Sequence, residues 1–326
     1  MASAQQLIGM IKSHAAGDDE RFLLIAEHIA QEADNSGKVK MAGEIKALIE
    51  SIRIDAARAR IAKPIPITAP RGELAGLVRA SYPEIYLSDL VLSSQLERRI
   101  TRIVREHRER STLEAKNLAP RRKFLFSGPP GTGKGMTARA IAGELGLPLF
   151  TILLDGVITK FMGETASKLR LIFDAMATTR GIYFFDEVDA LAASRGSEND
   201  VGEARRMLNS FLQFLEEDQS GSVIIAATNH RSLLDPALFR RFDAALFYEK
   251  PSAEEARRVL NNHLLAFDVD KLDWNELDLA SHGLSQADLV AAAADAARDA
   301  VLDNDAKITT ELLKQALKDR NTIHPN

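Results

Sequence analysis

The sequence predicts an α/β protein built around a doubly wound parallel sheet, with a helical bundle before the sheet and a small helical domain after it. Three observations predict this class. Short apolar runs alternate with amphipathic helical patterns between Phe124 and Tyr248. A glycine-rich turn joins the first apolar run to a helical pattern. The flanking segments show only helical spacing of their apolar residues. Such alternation indicates parallel strands covered by helices on both faces.

Residues 1–62 contain three short amphipathic patterns, which predict a three-helix bundle. Gly17-Asp18-Asp19 and Asn35-Ser36-Gly37 separate the patterns, as turn-forming residues do. A bundle of this size buries too little surface to be very stable alone. Two interpretations are open: a docking module for a partner or substrate, or an appendage that packs against copies of itself.

Residues 63–80 are predicted to be a linker, because three prolines fall between Pro64 and Pro70 and proline disfavours helix. Beyond the linker, the largely apolar run Leu87–Leu92 precedes a helix predicted from about Ser93 to Arg110. Arginines and glutamates are interleaved along this helix. Such a mixture is more typical of a solvated face than of a nucleic-acid-binding stripe.

Residues 81–250 are predicted to form the α/β domain and residues 251–326 a helical lid. The predicted strands are Phe124–Ser127, Leu149–Leu153, Ile182–Asp186, Val223–Ala227 and Leu246–Tyr248. After Pro251 the patterns predict only helices, over residues 252–266, 285–302 and 309–320. Ligands of parallel sheets bind at the carboxyl ends of the strands, so the polar residues that follow the strands are the candidates for a functional site.

The composition is that of an ordinary soluble protein, with 45% hydrophobic and 27% charged residues among 326. The net charge of −4 provides no basic field for nucleic acid or an anionic membrane. The absence of cysteine excludes disulfides, thiolate nucleophiles and zinc–thiolate sites. No apolar run approaches the roughly 18 residues that span a bilayer, and the first residues lack the basic region of a secretory signal. We therefore expect a cytoplasmic protein without a membrane span.

A glycine-rich loop links the first predicted strand to a helix and carries the strongest chemical signal. Glycines let the backbone curl so that several N–H groups face one anion, and the helix adds its positive N-terminal end. A lysine at the end of the loop supplies charge for the outer phosphates. The candidate phosphate-binding residues are Gly128, Pro129, Pro130, Gly131, Thr132, Gly133, Lys134, Gly135 and Met136. The alternative is a turn that holds a lysine by chance, which the strand–loop–helix context disfavours.

One position departs from this pattern. The residue after the lysine is normally Ser or Thr, whose hydroxyl binds Mg²⁺, but here it is Gly135. Thr137 lies two positions further along the helix and projects in another direction. We expect Mg²⁺ still to bind, with water in place of the hydroxyl, and hydrolysis to be weakened.

The predicted strand Ile182–Asp186 leads into two carboxylates, Asp186 and Glu187. At the carboxyl end of a strand they are expected to lie beside the bound phosphates. Asp186 is the candidate magnesium ligand, directly or through water, and Glu187 is the candidate base that polarises the attacking water. The alternative is an acidic pair at the N-terminus of the next helix.

Two further positions complete the candidate catalytic set. Asn229 follows the predicted strand Val223–Ala227 and can orient the attacking water, although asparagine is also common in turns. Arg240 and Arg241 precede the last predicted strand. They are candidates to stabilise transition-state charge in a neighbouring subunit; the alternative is a basic pair on the surface.

Phe161, Met162 and Gly163 lie in a predicted loop between a strand and a helix. An aromatic residue and a methionine in such a loop indicate exposed apolar side chains that meet a partner. The alternative is a hydrophobic contact at the entry of the helix.

From about Leu87 to Arg320 the motifs and their order resemble the AAA ATPases, most closely the branch that includes spastin and katanin. Gly128–Lys134 resembles the Walker A loop, and Asp186-Glu187 resembles Walker B. Asn229 resembles sensor 1, and Arg240-Arg241 the paired arginine fingers. Phe161-Met162-Gly163 resembles the first pore loop, whose aromatic residue grips a substrate polypeptide.

The resemblance implies a P-loop NTPase fold with ATP and Mg²⁺ as cofactors. Leu90-Val91-Leu92 resembles the segment that lines the adenine pocket, and Gly283–Asp288 resembles the start of the helix near the adenine. Val91 and Ala287 therefore join the expected nucleotide contacts. The chain is also similar to small bacterial AAA ATPases found beside subtilisin-like proteases in phage-defence operons, which implies a role in antiviral defence.

The expected function is an ATP-driven machine that remodels, unfolds or translocates protein substrates, assembled as a ring, a hexamer in this family, with ATP at the subunit interfaces. A second hypothesis, favoured by Gly135, is a slow ATP-dependent switch or scaffold that activates a separate effector such as a protease. A third is a DNA-acting ATPase. The net charge of −4 and the Phe161-Met162 pair disfavour it, and salt-dependent DNA binding would revive it.

Overall fold

A computed structural model of the protein divides into two compact units, Met1–Ile65 and Pro66–Asn326. In the first unit, residues 41–43 and 45–49 are helical, whereas most of the predicted three-helix bundle lies outside the described residues. Of the predicted linker 63–80, residues 70 and 72–80 are described, and they include a 3-10 helix, Gly72–Gly76, and the start of the strand Val78–Ser81. The residues that the structure describes are 26, 29–30, 41–43, 45–49, 70, 72–157, 164–191, 198–230, 239–265, 267, 269, 272–303 and 307–323.

The second unit begins with an α/β structure. Its strands are β1 (Val78–Ser81), β2 (Lys123–Ser127), β3 (Leu149–Ile152), β4 (Ile182–Phe185), β5 (Val223–Thr228) and β6 (Ala244–Phe247). Its helices are α1 (Ser94–Arg108), α2 (Arg110–Glu114), α3 (Lys134–Leu145), α4 (Leu154–Val157), α5 (Glu164–Thr178) and α6 (Glu198–Glu217). Short 3-10 helices occupy Gly72–Gly76, Leu87–Asp89 and Val188–Leu191.

The six strands form one sheet in the order β1–β3–β4–β5–β2–β6. The strands β3, β4, β5, β2 and β6 each run parallel to their neighbours in this order. Strand β1 pairs antiparallel with β3. The parallel strands agree with the prediction to within about two residues at each end. The sequence does not predict β1, because Val78–Ser81 includes an arginine and a serine and is not a continuous apolar run like β4.

Successive residues of the central strands enter two different hydrophobic clusters. In β4, Tyr183 and Phe185 pack on one side of the sheet, and Phe185 makes an edge contact with Phe211 of α6 at a ring-centroid distance of 5.1 Å. Ile182 and Phe184 pack on the other side, in the cluster that includes residues of α1 and α3. Because both sides are covered, these strands read as continuous apolar runs.

Helix α1 confirms the mixed-charge face expected from the sequence. Arg102 pairs with Glu106 at 3.2 Å and Arg105 pairs with Glu109 at 2.8 Å. Both pairs are four residues apart, and the Arg105–Glu109 pair is exposed on both sides, so it contributes a few tenths of a kcal/mol.

The C-terminal helices α7 (Ala253–His263), α8 (Trp274–Ser281), α9 (Gln286–Asp303) and α10 (Thr310–Ile323) share a third hydrophobic cluster. Three of them match the predicted helices, and α8 is additional because eight residues give a weak periodic signal. Ser252 starts α7 with a capping box, since its hydroxyl accepts the Glu255 N–H at 3.3 Å while the Glu255 carboxylate accepts the Ser252 N–H at 2.8 Å.

Arg257 joins α7 to α8. Its Nε donates to Oδ1 of Asp278 at 2.7 Å and its Nη2 to Oδ2 at 2.5 Å. The guanidinium carbon lies 5.8 Å from the ring centroid of Trp274, within the range of a cation–π contact. One side chain thus fixes the half-buried indole to the neighbouring helix.

Candidate functional site

Three adjacent strands, β4, β5 and β2, end side by side, and we call the side of the sheet where they end its carboxyl edge. Ser127 of β2 is paired with Thr228 of β5, and Phe185 of β4 is paired with Ala226 of β5. The residues that follow these strands are the glycine-rich loop, Asn229 and the acidic pair. Strand β5 is central, so Asn229 is placed between the other two groups, and the three motifs separated in the sequence form one candidate site.

The glycine-rich loop adopts a conformation that other residues rarely take. Gly131 has φ +73° and Gly133 has φ +93°, in the left-handed region that favours glycine. Gly128 serves a different need, because a β-carbon there would overlap the carbonyl oxygen of Tyr248. The Gly128 N–H donates to the Thr228 carbonyl at 3.3 Å, which ties the start of the loop to β5.

Lys134 is 7% exposed and bends back over the loop. Its Nζ donates to the carbonyl oxygens of Gly128 at 2.7 Å and Pro129 at 2.8 Å. Burial lowers the pKa of the ammonium group, while the nearby carboxylates of Asp186, Asp189 and Glu187 act to raise it. The cation and the acidic groups therefore influence one another across the site.

The start of α3 fits a phosphate group. Its N-cap residue, Gly133, has no side chain that could cap the helix. The first N–H groups of any helix lack intrahelical partners. These donors, the loop glycines and Lys134 form an anion-binding end of the kind that the sequence predicts. Met136 is 41% exposed beside it, and its nucleotide contact stays a prediction.

Thr137 does not replace the hydroxyl that Gly135 lacks. It is fully buried, and its Oγ1 donates to the Gly133 carbonyl at 3.0 Å. The hydroxyl is thus engaged by the backbone of its own helix. At Gly135 itself a β-carbon would meet only the ring of Phe184, at 3.8 Å.

The acidic pair directly follows β4, and both side chains are exposed at the edge of the sheet. Glu187 has φ +51°, which is uncommon for a residue with a side chain and marks stored strain. Its N–H donates to Oδ1 of Asp186 at 3.0 Å. Although Asp186 is exposed as a residue, the protein around its carboxyl group partly desolvates it and raises its pKa, whereas the Glu187 N–H and the Lys134 charge act to lower it.

Asp189 is a site residue that the sequence reasoning misses. It lies in the 3-10 helix Val188–Leu191 and is 9% exposed. Its Oδ1 accepts the backbone N–H of Asn229 at 3.3 Å, which connects the turn after β4 to the end of β5. An aspartate two residues after an acidic pair was a visible signal, but its direction depends on the 3-10 turn.

The carboxylates fit a magnesium ion only together with phosphate oxygens. Among the residues that the structure describes, no group of three or more His, Cys, Asp or Glu side chains converges as a metal site. Asp186 is exposed at the same edge as the phosphate loop, and Mg²⁺ in nucleotide sites is commonly held by one or two carboxylates plus phosphates and water. The donor set is consistent with that arrangement.

Arg240 and Arg241 lie at the opposite side of the sheet from the carboxyl edge, where β2 and β6 begin. They precede β6, whose first residue, Ala244, pairs with Phe124 near the start of β2. The phosphate loop follows the last residue of β2, so the length of a strand, on the order of 10 Å, separates the arginines from it. Arg240 is exposed, and Arg241 forms an ion pair with Glu216 of α6.

The two expected base contacts lie beside the loop. Val91 is 6% exposed and packs in the hydrophobic cluster of the C-terminal helices. The Ala287 N–H, in the first turn of α9, donates to the Gly131 carbonyl at 3.1 Å. Gln286, the residue before Ala287, donates from Nε2 to the Val91 carbonyl at 2.7 Å. The sequence gives no sign of this bond.

The motif that resembles a pore loop, Phe161-Met162-Gly163, lies outside the described residues. In the part of the chain that is described, no helix has the length and apolarity needed to cross a bilayer.

Comparisons with known proteins agree with this arrangement. Residues 124–250 match the family model of the ATPase family associated with various cellular activities (AAA). Over 274 residues the chain is 35% identical to the uncharacterized AAA family ATPase y4kL of Sinorhizobium fredii, and the match covers 82% of each protein. It is 37% identical over 201 residues to the ATP-dependent zinc metalloprotease FtsH of Mycobacterium leprae. That match covers 59% of this chain and 26% of FtsH, so the similarity concerns about a quarter of that relative.

A solved structure shows the same fold. The crystal structure of the FIGL-1 AAA domain superposes with a TM-score of 0.59 at 22% sequence identity, covering 74% of this chain and 85% of that chain.

Proposed function

This chain belongs to the AAA family of ATPases, and we propose that it uses ATP hydrolysis to remodel, unfold or translocate protein substrates as a ring, with a hexamer as the expected size. The observation that carries the proposal is the meeting of the phosphate loop, the acidic pair and Asn229 at one sheet edge, with Arg240 and Arg241 at the other. A site divided in this way favours completion by a second subunit.

In the proposed site, the loop from Gly128 to Lys134 binds the phosphates with its N–H groups, and Gly135 and Met136 follow along α3. Lys134 exchanges its bonds to the Gly128 and Pro129 carbonyls for phosphate oxygens, which a flexible ammonium can do. Val91 and Ala287 contact the nucleoside. The fit of the loop to a phosphate supports ATP as the cofactor.

Hydrolysis is assigned to the groups after β4 and β5. Glu187 accepts a proton from the attacking water, and the strained backbone at φ +51° fixes its direction. Asn229 orients the water, with its own backbone held by Asp189. Asp186 is the protein ligand for Mg²⁺, which when bound stabilises the charge that develops on the phosphates.

The positions of Arg240 and Arg241 support the proposal that the chain assembles as a ring. Because a strand length separates Arg240 and Arg241 from the loop of their own chain, a neighbouring chain is the simpler recipient of their charge. The ion pair between Arg241 and Glu216 holds one of them until that neighbour arrives.

The protein substrate is assigned to Phe161, Met162 and Gly163 on the strength of the sequence. An exposed aromatic residue that moves with the nucleotide cycle can grip a polypeptide and thread it through the pore. The bundle in residues 1–62 then serves to recruit the substrate or a partner.

Gly135 favours a second candidate function, a slow ATP-dependent switch that activates a separate effector. A missing magnesium ligand prolongs the ATP state, which suits a scaffold better than a motor. The FtsH relatives are named as metalloproteases, and the chain matches only part of them; a protease is therefore the effector that we propose for this alternative, with antiviral defence as its setting.

One experiment separates these functions. Glu187→Gln should trap the ATP-bound ring, seen as a larger mass by light scattering, and retain bound proteins in a pull-down with ATP. Phe161→Ala in that background should release a threaded substrate but not an effector bound elsewhere. A chain that stays monomeric with ATP overturns the ring machine, and one that retains no protein in the pull-down overturns the switch as well. Salt-dependent DNA binding would favour a DNA-acting ATPase instead.

A further inference from the structure

The start of α9 packs directly on the phosphate loop. The Ala287 N–H donates to the Gly131 carbonyl at 3.1 Å, and a β-carbon on Gly131 would overlap the Ser285 hydroxyl. Asp288 fixes this turn, since its Oδ2 accepts the Ser285 N–H at 3.0 Å and the Ser285 hydroxyl at 2.6 Å. The C-terminal helices therefore approach the loop through a rigid helix N-terminus.

Gln286 extends from this turn across the loop. Its Nε2 donates to the Val91 carbonyl at 2.7 Å, a contact between residues 195 positions apart. Its Oε1 lies 3.1 Å from the position that a β-carbon on Gly133 would take. The orientation of the amide follows from chemistry, because a carbonyl oxygen only accepts hydrogen bonds and the NH₂ group must face it. One side chain thus spans from the loop to the backbone of Val91.

A nucleotide whose phosphates lie on the loop must place its sugar and base beside the loop. On the side of Gly131 and Gly133, that surface is formed by the start of α9 and by Val91. The Val91 carbonyl is a buried acceptor suited to an N–H donor of a base, and Gln286 already uses it. The base and the Gln286 side chain therefore compete for the same acceptor and for the space between Val91 and the loop.

We propose that Gln286 is a gate on the nucleoside half of the site, which an incoming nucleotide displaces. This inference rests on the proposed nucleotide binding at the loop and adds the residue that limits nucleotide affinity. Gln286 is the first residue of α9, and its side chain can leave the Val91 carbonyl by rotation while the turn held by Asp288 keeps its contact with Gly131.

The gate and a purely structural role of Gln286 predict opposite changes in nucleotide affinity. If Gln286 only held the C-terminal helices against the loop, its removal would loosen the site and weaken nucleotide binding. A gate opposes the nucleotide, so its removal strengthens binding by about 3- to 10-fold, the equivalent of one neutral hydrogen bond that no longer has to be broken.

The test is calorimetric titration of the full chain with ADP and Mg²⁺. Gln286→Ala should bind ADP about 3- to 10-fold more tightly than the wild type. Gln286→Asn, whose shorter amide does not reach the Val91 carbonyl, should also bind more tightly and carries the test if the alanine variant folds poorly. The matched control is Gln315→Ala, an exposed glutamine on α10 whose Nε2 donates to Asp319 at 2.8 Å, and it should leave the affinity unchanged.

The outcomes distinguish the gate from the site itself. Equal or weaker ADP binding by both Gln286 variants overturns the gate, provided that the wild type binds ADP and Lys134→Ala binds it less tightly. If the wild type and Lys134→Ala bind ADP equally or not at all, the proposed nucleotide site is wrong, and the gate falls with it.

Discussion

The ring of Phe184 faces Gly135, with its Cε1 and Cζ atoms 3.8 Å from the position that a β-carbon on Gly135 would take. This is an ordinary van der Waals contact, and Gly135 lies in α3 outside the left-handed backbone region. The fold therefore leaves room for a side chain at the position where phosphate loops normally carry a hydroxyl. The glycine is not imposed by packing.

The first prediction follows from this room. Gly135→Ser or Gly135→Thr should raise ATP turnover by about 10- to 100-fold, since a bond to a charged centre contributes roughly 1.5–3 kcal/mol. The Mg²⁺ concentration for half-maximal activity should fall. Gly135→Ala is the control, because it gains up to about 1 kcal/mol of helix stability without a hydroxyl. Magnesium titrations of ATPase activity decide the matter; coinciding curves for the wild type and the Gly135→Ser variant would mean that the hydroxyl is irrelevant.

The second prediction concerns the strained backbone of Glu187. Glu187→Gly should stabilise the protein by up to about 1 kcal/mol, because glycine adopts φ +51° without a steric cost, while turnover falls by about 100-fold or more. The matched control is Asn117→Gly at φ +57°, which should keep turnover. Urea unfolding and ATPase assays measure both effects. A less stable Glu187→Gly protein would show that the backbone there is not strained.

The third prediction concerns Arg241. Arg241→Ala should reduce ATPase activity by about 100-fold or more, in the manner of an arginine supplied in trans, and leave ADP binding by the isolated subunit unchanged. Arg298→Ala, which breaks a pair with Asp295 on α9, is the control and should retain activity. Restored turnover on mixing Arg241→Ala with Lys134→Ala subunits would confirm action across an interface. An equal loss of ADP affinity in the monomer would contradict it.

The fourth prediction tests Asp189 as a positioning residue. Asp189→Ala removes the acceptor of the Asn229 N–H, so we expect kcat to fall by about 10-fold with little change in KM. Asp189→Asn keeps an oxygen that can accept the bond and should recover most of the rate. An alanine variant with wild-type kcat would remove Asp189 from the site.

The fifth prediction is a dependence of stability on pH. His107 is 6% exposed, its Nε2 donates to the Arg121 carbonyl at 2.7 Å, and its Nδ1 is buried without a partner. Burial lowers the pKa of the imidazole, and this effect outweighs the hydrogen bond to the Arg121 carbonyl, which acts to raise it; the charge of Arg180 lowers it further. The folded chain then binds fewer protons than the unfolded chain below the unfolded pKa of about 6.5, so stability is full above that pH and falls as pH drops toward the folded pKa.

His107→Gln, which keeps a donor but does not titrate, should flatten this dependence. Unfolding free energies measured by urea titration between about pH 7.5 and pH 5 should differ less in the variant than in the wild type. His263→Gln, at an exposed position of α7, is the control. An unchanged slope in His107→Gln would assign the acid loss of stability to other groups.

The sequence predicts those parts of the molecule whose signal is local. The loop Gly128–Lys134 and the acidic pair each follow an apolar strand, so their place at the carboxyl edge follows from the topology of parallel sheets alone. Strand β1 escapes prediction because its stability comes from pairing with β3, and its four residues carry no pattern of their own.

The rest of the site depends on contacts that only the fold creates. Asp189 reaches Asn229 because a 3-10 turn redirects the chain after Glu187. Gln286 meets Val91 across 195 positions of sequence, and Arg241, in the turn before β6, meets Glu216 of α6. Periodicity and motif spacing describe single elements, so they contain no information on such pairs.

Trp274 provides an optical consequence of the contact with Arg257. It is the only tryptophan in the chain, and it lies in α8 beneath the guanidinium group. Selective excitation of indole therefore yields emission from the C-terminal helices alone, whereas the tyrosines of β4 and of the segment after β6 remain silent. A change in emission wavelength with nucleotide, at constant circular dichroism, would be a direct spectroscopic record of these helices rearranging while the sheet stays folded.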